Sequence, residues 1–272
     1  MITQETEIYV VGKGFVNPEE LTIGSQVHTL DLNREPGVST ITGLTSDFLS
    51  GKVCCIDSGA HNVDVTDDTR LLYHSERHGT ALISFDQIPV KSPDKRWIGT
   101  KYLPVLSWPK DNGQNCSLQE LEHIARMCAV HEYDRTVLQS VVEKCTHVDA
   151  MILIDMLEFW CSVSPGDGSF GRVSVKSRSH VIKDKYFLDE LTRIAVLAGY
   201  TAAHTNYSKF TYGLKISYES MPIPGSRPKN QKYFRRYYTG MLYNINASNL
   251  PILGMSKRRA FYLPTTSTLN MV

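Results

Sequence analysis

The sequence lacks the features that mark several classes of protein. No stretch approaches the roughly 18 uninterrupted apolar residues of a membrane-spanning helix, and the first ten residues, MITQETEIYV, have neither the basic start nor the apolar run of a signal peptide. The six cysteines include no Cys-x-x-Cys pair and show no zinc-binding spacing with the nine histidines. We therefore expect a cytoplasmic protein with reduced, mostly buried thiols, without a membrane partner or a structural zinc site.

Acidic residues are missing from one part of the chain. Lysine and arginine number 29 and aspartate and glutamate 28, so the chain as a whole is close to neutral. Residues 1–108 hold 9 basic and 14 acidic residues, residues 109–224 hold 12 and 14, and residues 225–272 hold 8 basic residues and no acidic one. The basic residues of this last segment are Arg227, Lys229, Lys232, Arg235, Arg236, Lys257, Arg258 and Arg259.

Aromatic side chains lie among these cations, at Tyr233, Phe234, Tyr237 and Tyr238. Such interleaving can mark nucleic-acid contact, because phosphates attract the cations and bases stack on the rings. The alternative is a strand-rich region whose cations neutralise the acidic first segment. Both interpretations stay open at the level of the sequence.

The order of predicted elements indicates one domain inserted into another. Residues 1–108 show short apolar and β-branched runs between Gly, Asn, Asp and Pro turns, which is typical of β-strands. In residues 109–224, Ser117 and Glu120 form a capping box ahead of the first of four helical stretches. The β texture returns in residues 225–272. We predict a mainly β domain formed by residues 1–108 and 225–272, and an inserted α+β domain of residues 109–224.

Within the insert, the apolar periodicity and the turn residues set the expected elements. Gly199 lies in the C-cap position of the last helix. The predicted helices are 118–128, 137–145, 150–160 and 187–198, and the predicted strands are 172–176 and 212–218.

Three strings in the two β segments resemble an intein-type Hint domain. LTIGSQVHTLD is similar to an early Hint strand pair, and HNVDVTDDTRLLYHSERHG is similar to the block that normally contains Thr-x-x-His. GMLYNINASNLPILGMSKRRAFYLPTT looks like the closing Hint strands. The resemblance implies a mainly β Hint-like domain built from both chain ends.

The insert resembles a homing endonuclease of the LAGLIDADG family. WCSVSPGDGSFGRVSVKSRSHVIKDKYFLDELTRIAVLAGYTA looks like a LAGLIDADG helix that ends in Gly-Asp-Gly and is followed by the strand and helix typical of that family. Together the two resemblances cover nearly the whole chain. They imply a Hint-like domain that carries an inserted α+β LAGLIDADG-like domain.

The groups that protein splicing requires are missing from the matching positions. The resemblance implies a Cys or Ser nucleophile at the first residue, where this chain has Met1, and a block histidine where it has Thr69. Instead of a terminal His-Asn, the matching end reads Pro264-Thr265-Thr266. Because an activated nucleophile needs a base within hydrogen-bond reach, we predict no self-splicing.

The nuclease chemistry implied by the resemblance needs two carboxylates that hold Mg²⁺ at the scissile phosphates. Asp167 in Gly166-Asp167-Gly168 is one candidate, and Glu132 or Asp134 could supply the second from the other helix. The alternative interpretation is that Gly-Asp-Gly-Ser forms an ordinary turn. Candidate DNA contacts of the insert are Arg172, Lys176 and Arg178.

Two functions are therefore open. In the first, the chain is a splicing-dead, domesticated protein that binds no cofactor and acts as a structural or binding protein with a protein partner. It would be phage-encoded, and either cytoplasmic or part of the virion. In the second, it is a free-standing homing endonuclease that makes Mg²⁺-dependent double-strand cuts in DNA. The net charge of the insert, 12 basic against 14 acidic residues, favours the first.

Overall fold

The structure is a computed structural model that describes residues 1–31, 36–57, 62–75, 79–84, 103–104, 113–130, 132–163, 177–182, 184–208, 211–217, 232–248 and 251–263. Its fold is mainly β with curled sheets, and the described residues include four α-helices. The strands are β1 (Ile2–Thr3), β2 (Thr6–Val10), β3 (Gly14–Val16), β4 (Gln26–Leu30), β5 (Pro36–Thr40), β6 (Gly43–Asp57), β7 (Asn62–Val65), β8 (Arg70–Ser75), β9 (Gly79–Ser84), β10 (Leu103–Pro104), β11 (Ser177–Ile182), β12 (Thr201–Ser208), β13 (Thr211–Ser217), β14 (Lys232–Asn246), β15 (Ile252–Ser256) and β16 (Arg259–Leu263). The helices are α1 (Leu118–Ala129), α2 (Arg135–Lys144), α3 (His147–Val163) and α4 (Lys185–Leu197), and a short 3₁₀ helix spans Pro18–Glu20.

The chain divides into two compact units. The first, called the β unit here, comprises Met1–Leu106, Pro222–Lys257 and Phe261–Val272. The second, called the helical unit, comprises Ser107–Met221 and Arg258–Ala260. Each unit has its own buried apolar side chains.

Two long strands organise the β unit. β6 and β14 are each 15 residues long and pair antiparallel throughout, and β1 and β7 close them into a barrel. Ile2 of β1 completes the closure, because it pairs with both Tyr243 of β14 and Val65 of β7. β2 pairs with β3, β4 and β15, and β4 also pairs with β5.

Alternate side chains of each strand point to the same face of the sheet, so one face can be apolar and covered. Burial of these apolar faces holds the β unit together. The main cluster of buried residues is Ile2, Ile8, Val10, Leu21, Val27, Ile41, Cys54, Val63, Val65, Tyr243, Ile245, Ala247, Ile252, Phe261 and Leu263. A second cluster contains Val53, Cys55, Tyr238 and Leu242.

In the helical unit, α4 lies at the centre. It contacts α2, α3 and the sheet of strands β11, β13 and β12, and every residue from 187 to 197 is buried. Four of those residues are polar: Asp189, Glu190, Thr192 and Arg193. Glu190 and Arg193 are one turn apart and form an ion pair at 3.2 Å, with side chains only 1% and 5% exposed. Pairing on the helix surface satisfies charges that would otherwise be costly to bury.

Local signals for the helices are confirmed. Ser117 Oγ accepts a hydrogen bond from the Glu120 N–H, and the Glu120 carboxylate accepts one from the Ser117 N–H, so the predicted capping box is present at α1. Gly199 follows α4 with φ +83°, in the left-handed region that glycine tolerates best. The predicted strand 172–176 lies outside the described residues, and β11 begins at Ser177.

The cysteines also agree with expectation. Cys54, Cys55, Cys116, Cys128 and Cys145 are buried free thiols, while the side chain of Cys161 lies outside the description. None of the described helices has the length and apolar character needed to cross a membrane.

Candidate functional site

The turn that follows β7 presents two hydroxyl groups. The Thr69 N–H donates to the Thr66 carbonyl at 3.0 Å, which closes the turn, and the two hydroxyl oxygens lie 3.1 Å apart. Thr69 is fully buried. The turn therefore holds two polar side chains at fixed positions beside the barrel strand that precedes it.

The backbone of Met1 faces both hydroxyls. The Met1 amine donates to Thr66 Oγ1 at 2.6 Å and to Thr69 Oγ1 at 3.0 Å, and the Thr66 N–H donates to the Met1 carbonyl at 3.1 Å. Because Ile2 is paired on both sides in the barrel, the position of Met1 against this turn is set by the sheet. Burial lowers the pKa of the Met1 amine to about 6, while the Asp68 carboxylate, 4.0 Å away, acts in the opposite direction.

This arrangement lacks the groups needed for an acyl shift at residue 1. A methionine thioether carries no proton to lose, and a threonine hydroxyl is not a base at neutral pH. Thr69 Oγ1 can only exchange hydrogen bonds with the Met1 backbone and Thr66. The place that the Hint resemblance assigns to the nucleophile and the histidine is therefore occupied by inert side chains.

An apolar pocket lies beside Met1 in the β unit. Apart from the Tyr243 hydroxyl, its lining side chains carry no nucleophilic or metal-binding group. The residues that line it are Met1, Ile2, Ile8, Tyr243, Ile245, Ile252 and Leu263.

Two adjacent cysteines on β6 do not replace the missing nucleophile. Cys54 Sγ donates to Asp67 Oδ1 at 2.5 Å. Burial raises the pKa of Cys54 to about 12, and the hydrogen bond to Asp67 adds to the shift. Burial also raises the pKa of Cys55 to about 12, together with a hydrogen bond to Asp64. Since the thiolate is the reactive form, both thiols remain unreactive at neutral pH.

A charge cluster surrounds Asp64 in the β unit. The Asp64 side chain is only 1% exposed, contacts the Arg236 guanidinium and lies 3.3 Å from Lys257 Nζ. Burial alone would raise the pKa of Asp64, but hydrogen bonds from Arg236 and Cys55 and the charge of Lys257 hold it below its usual value. Arg236 also reaches Glu5 at 3.7 Å. Arg236 and Lys257, two of the basic residues in the segment 225–272, therefore neutralise a buried carboxylate.

Four other cations of residues 225–272 lie in different settings, and Arg227 and Lys229 fall outside the described residues. Arg235 pairs with Asp67 at 3.2 Å, with both side chains more than half exposed. Arg258 has φ +68° in the turn between β15 and β16, and Arg259 pairs with Ala203 of β12. Lys232 begins β14.

The structure describes only some of the candidate nuclease residues. Glu132 is exposed just after α1, and its N–H donates to the Met127 carbonyl. Asp134 is the N-cap of α2, where its carboxylate accepts N–H groups at 2.7 and 3.1 Å. Arg178 lies on β11. Asp167, Arg172 and Lys176 fall outside the described residues.

The helical unit contains a partly buried histidine, His204. His204 Nε2 lies 2.9 Å from Thr192 Oγ1, which itself donates to the Leu188 carbonyl at 2.6 Å, so the histidine N–H is the donor. Burial lowers the pKa of His204 to about 4, and the charges of Lys185 and Arg258 contribute. The neutral imidazole is therefore the form that the folded unit stabilises.

We expect the free energy of unfolding to fall as the pH is lowered from about 6.5 towards 4, because the unfolded histidine takes up its proton first. The full loss from His204 is about 3 kcal/mol. Urea denaturation at pH 7 and pH 5 should show about 2 kcal/mol of this loss, with His204→Gln as the test and the exposed His123→Gln as the control. Equal pH dependence in wild type and His204→Gln would contradict this assignment.

Comparison with solved structures finds neighbours of low sequence identity, and two of them are described here. No protein-family model matches the sequence, and no curated protein matches it. A splicing-inactive variant of the AceL NrdHF class 3 split intein is similar, with a TM-score of 0.42, 7% identity and 97% of each chain covered. A bacterial intein-like domain from Clostridium thermocellum is also similar, with a TM-score of 0.35, 8% identity and 96% of each chain covered. Both neighbours are intein or Hint-like domains, but likeness at this level establishes no function.

Proposed function

We propose that this protein is a Hint-derived chain that has lost self-splicing and now acts as a binding or structural protein. The observation that carries the proposal is the contact of the Met1 backbone with Thr66 Oγ1 and Thr69 Oγ1. Residue 1 meets the turn that the resemblance equates with Thr-x-x-His, yet residue 1 has no nucleophilic side chain and the turn has no basic one. A core held by apolar burial can persist after such losses, because it does not depend on catalytic groups.

The finer parts of the proposal concern the insert and the origin of the chain. We propose that the helical unit derives from a LAGLIDADG endonuclease and that the protein is phage-encoded, working with a protein partner in the cytoplasm or in the virion. The sequence string that ends in Gly166-Asp167-Gly168 supports the first part. Detection of the chain in purified phage particles would test the second.

The nuclease alternative requires a second acid beside Asp167. Asp134 already serves as a helix cap and Glu132 is exposed, so the described geometry gives the alternative no added support. Supercoiled plasmid incubated with the wild-type protein in Mg²⁺ should stay intact. Double-strand cuts that disappear in Asp167→Ala would instead establish the endonuclease.

The loss of splicing is tested by placing the chain between two reporter domains. We expect one uncleaved fusion protein, with or without added thiol, when samples are followed by mass spectrometry over a day. A ligated product of the two reporters would contradict the proposal, as would thiol-dependent release of the first reporter.

A further inference from the structure

On the side of the β6–β14 ribbon opposite the second apolar cluster, the middle of the ribbon is exposed, whereas Cys54 and Tyr243 on the same side are buried in the main cluster. Because the strands pair in register, cross-strand partners share a face. Val53, Cys55, Tyr238 and Leu242 are buried on the opposite face. The exposed ribbon face is formed by Phe48, Ser50, Lys52, Arg235, Tyr237 and Thr239.

Two aromatic rings dominate the ribbon face. Phe48 is 66% exposed and Tyr237 is 65% exposed, although large apolar side chains usually find cover. The Tyr237 hydroxyl lies 2.8 Å from Ser50 Oγ, so the tyrosine ring is tied down at its outer end. Tyr237 is the cross-strand partner of Lys52, four residues along β6 from Phe48, which corresponds to about 13 Å.

The charges of the ribbon face are positive. Lys52 is exposed and forms no ion pair among the described residues, and Arg235 continues the same face one pair further along. Arg235 is paired with Asp67, but both side chains are more than half exposed. Such a pair contributes little to stability. Breaking it requires little free energy, so Arg235 can bind a phosphate in place of Asp67.

We propose that the ribbon face binds single-stranded nucleic acid. Phe48 and Tyr237 stack bases, while Lys52, opposite Tyr237, and Arg235, one pair beyond it, contact phosphates at the Tyr237 end of the face. Rings favour a single strand over a duplex, because only unpaired bases expose their faces to stack. The inference deepens the binding half of the proposed function and is independent of whether the chain splices.

The test is fluorescence anisotropy of the full chain with a labelled single strand of about 20 thymidines at low salt. We expect salt-sensitive binding that Tyr237→Ala and Phe48→Ala each weaken by about tenfold. Tyr237→Phe, which keeps the ring, should retain binding. Lys52→Gln should reduce the slope of log affinity against log salt by about 0.7.

The control is Phe159→Ala, which removes a ring of similar exposure, 58%, from the helical unit and should leave binding unchanged. The proposal is overturned if no salt-sensitive binding occurs, if a duplex of the same length binds more tightly, or if the alanine variants bind as well as wild type. A concentration-dependent dimer that Tyr237→Ala dissociates would also overturn it, and would assign the face to a second copy of the chain. A spliced product in the reporter assay would contradict the proposed loss of splicing but would not affect the nucleic-acid proposal. Failure of one proposal can therefore be distinguished from failure of the other.

Discussion

Replacing Asp149 with alanine is expected to lower the free energy of unfolding of the helical unit by about 3–5 kcal/mol. The Asp149 carboxylate is fully buried and accepts backbone N–H groups from Asn115 at 3.0 Å, from Cys116 at 3.3 Å and from Thr146 at 3.0 Å. It lies in the first turn of α3, where negative charge is favourable. Alanine leaves three donors without an acceptor, and each buried, unsatisfied donor costs about 1–3 kcal/mol.

Denaturant unfolding followed by circular dichroism measures this effect. Asp155→Ala is the matched control, because Asp155 is exposed on the same helix and its loss should change stability by less than about 0.5 kcal/mol. Asp149→Asn retains one acceptor oxygen and should fall between the two. A loss below about 1 kcal/mol for Asp149→Ala would show that the carboxylate does not join the start of α3 to the segment before α1.

The second large effect is expected at Asp64 in the β unit. Asp64→Ala should lower the free energy of unfolding by about 2–3 kcal/mol, because it leaves Arg236 and Lys257 beside each other without their carboxylate. The value is below the usual 3–5 kcal/mol for a broken buried pair, since the two cations are 34% and 37% exposed and water screens them.

The neighbouring pair of Asp67 and Arg235 provides the control. Asp67→Asn keeps an oxygen for the Cys54 thiol but removes a charge from a pair that is more than half exposed, so it should cost less than about 1 kcal/mol. The pKa of Asp64 is lowered in the folded state. Its contribution is therefore present at neutral pH and is lost only as the pH falls through that lowered pKa. Equal losses for Asp64→Ala and Asp67→Asn would contradict the account.

Features set by local chemistry could be predicted from the sequence. The capping box of Ser117 and Glu120 and the glycine at position 199 mark helix ends, because caps depend on residues within one or two turns. The candidate site at Met1 and Thr69 followed from a resemblance of strings and not from spacing, since the two residues are far apart in the chain.

The long ribbon shows where sequence patterns are insufficient. The apolar run of Val53, Cys54 and Cys55 is the buried part of β6, which extends back to Gly43 through exposed Ser, Thr and Lys residues. Alternation within residues 234–238 assigns Arg235 and Tyr237 to one face and Arg236 and Tyr238 to the other. Which face is covered depends on residues about 170 positions away, such as Asp64, and no local signal carries that information.

We claim that Met1 and Thr69 occupy a site that has lost its splicing chemistry. The most direct test is to restore that chemistry at residue 1. A reporter is fused ahead of the chain, Met1→Cys supplies a thiol nucleophile, and Thr69→His supplies an imidazole where Thr69 Oγ1 meets the backbone of residue 1. We expect thiol-dependent release of the reporter from the double variant, and none from wild type or from Met1→Ala with Thr69→His. Release from wild type would contradict the loss of splicing chemistry, and a folded but inert double variant would contradict the assignment of this site.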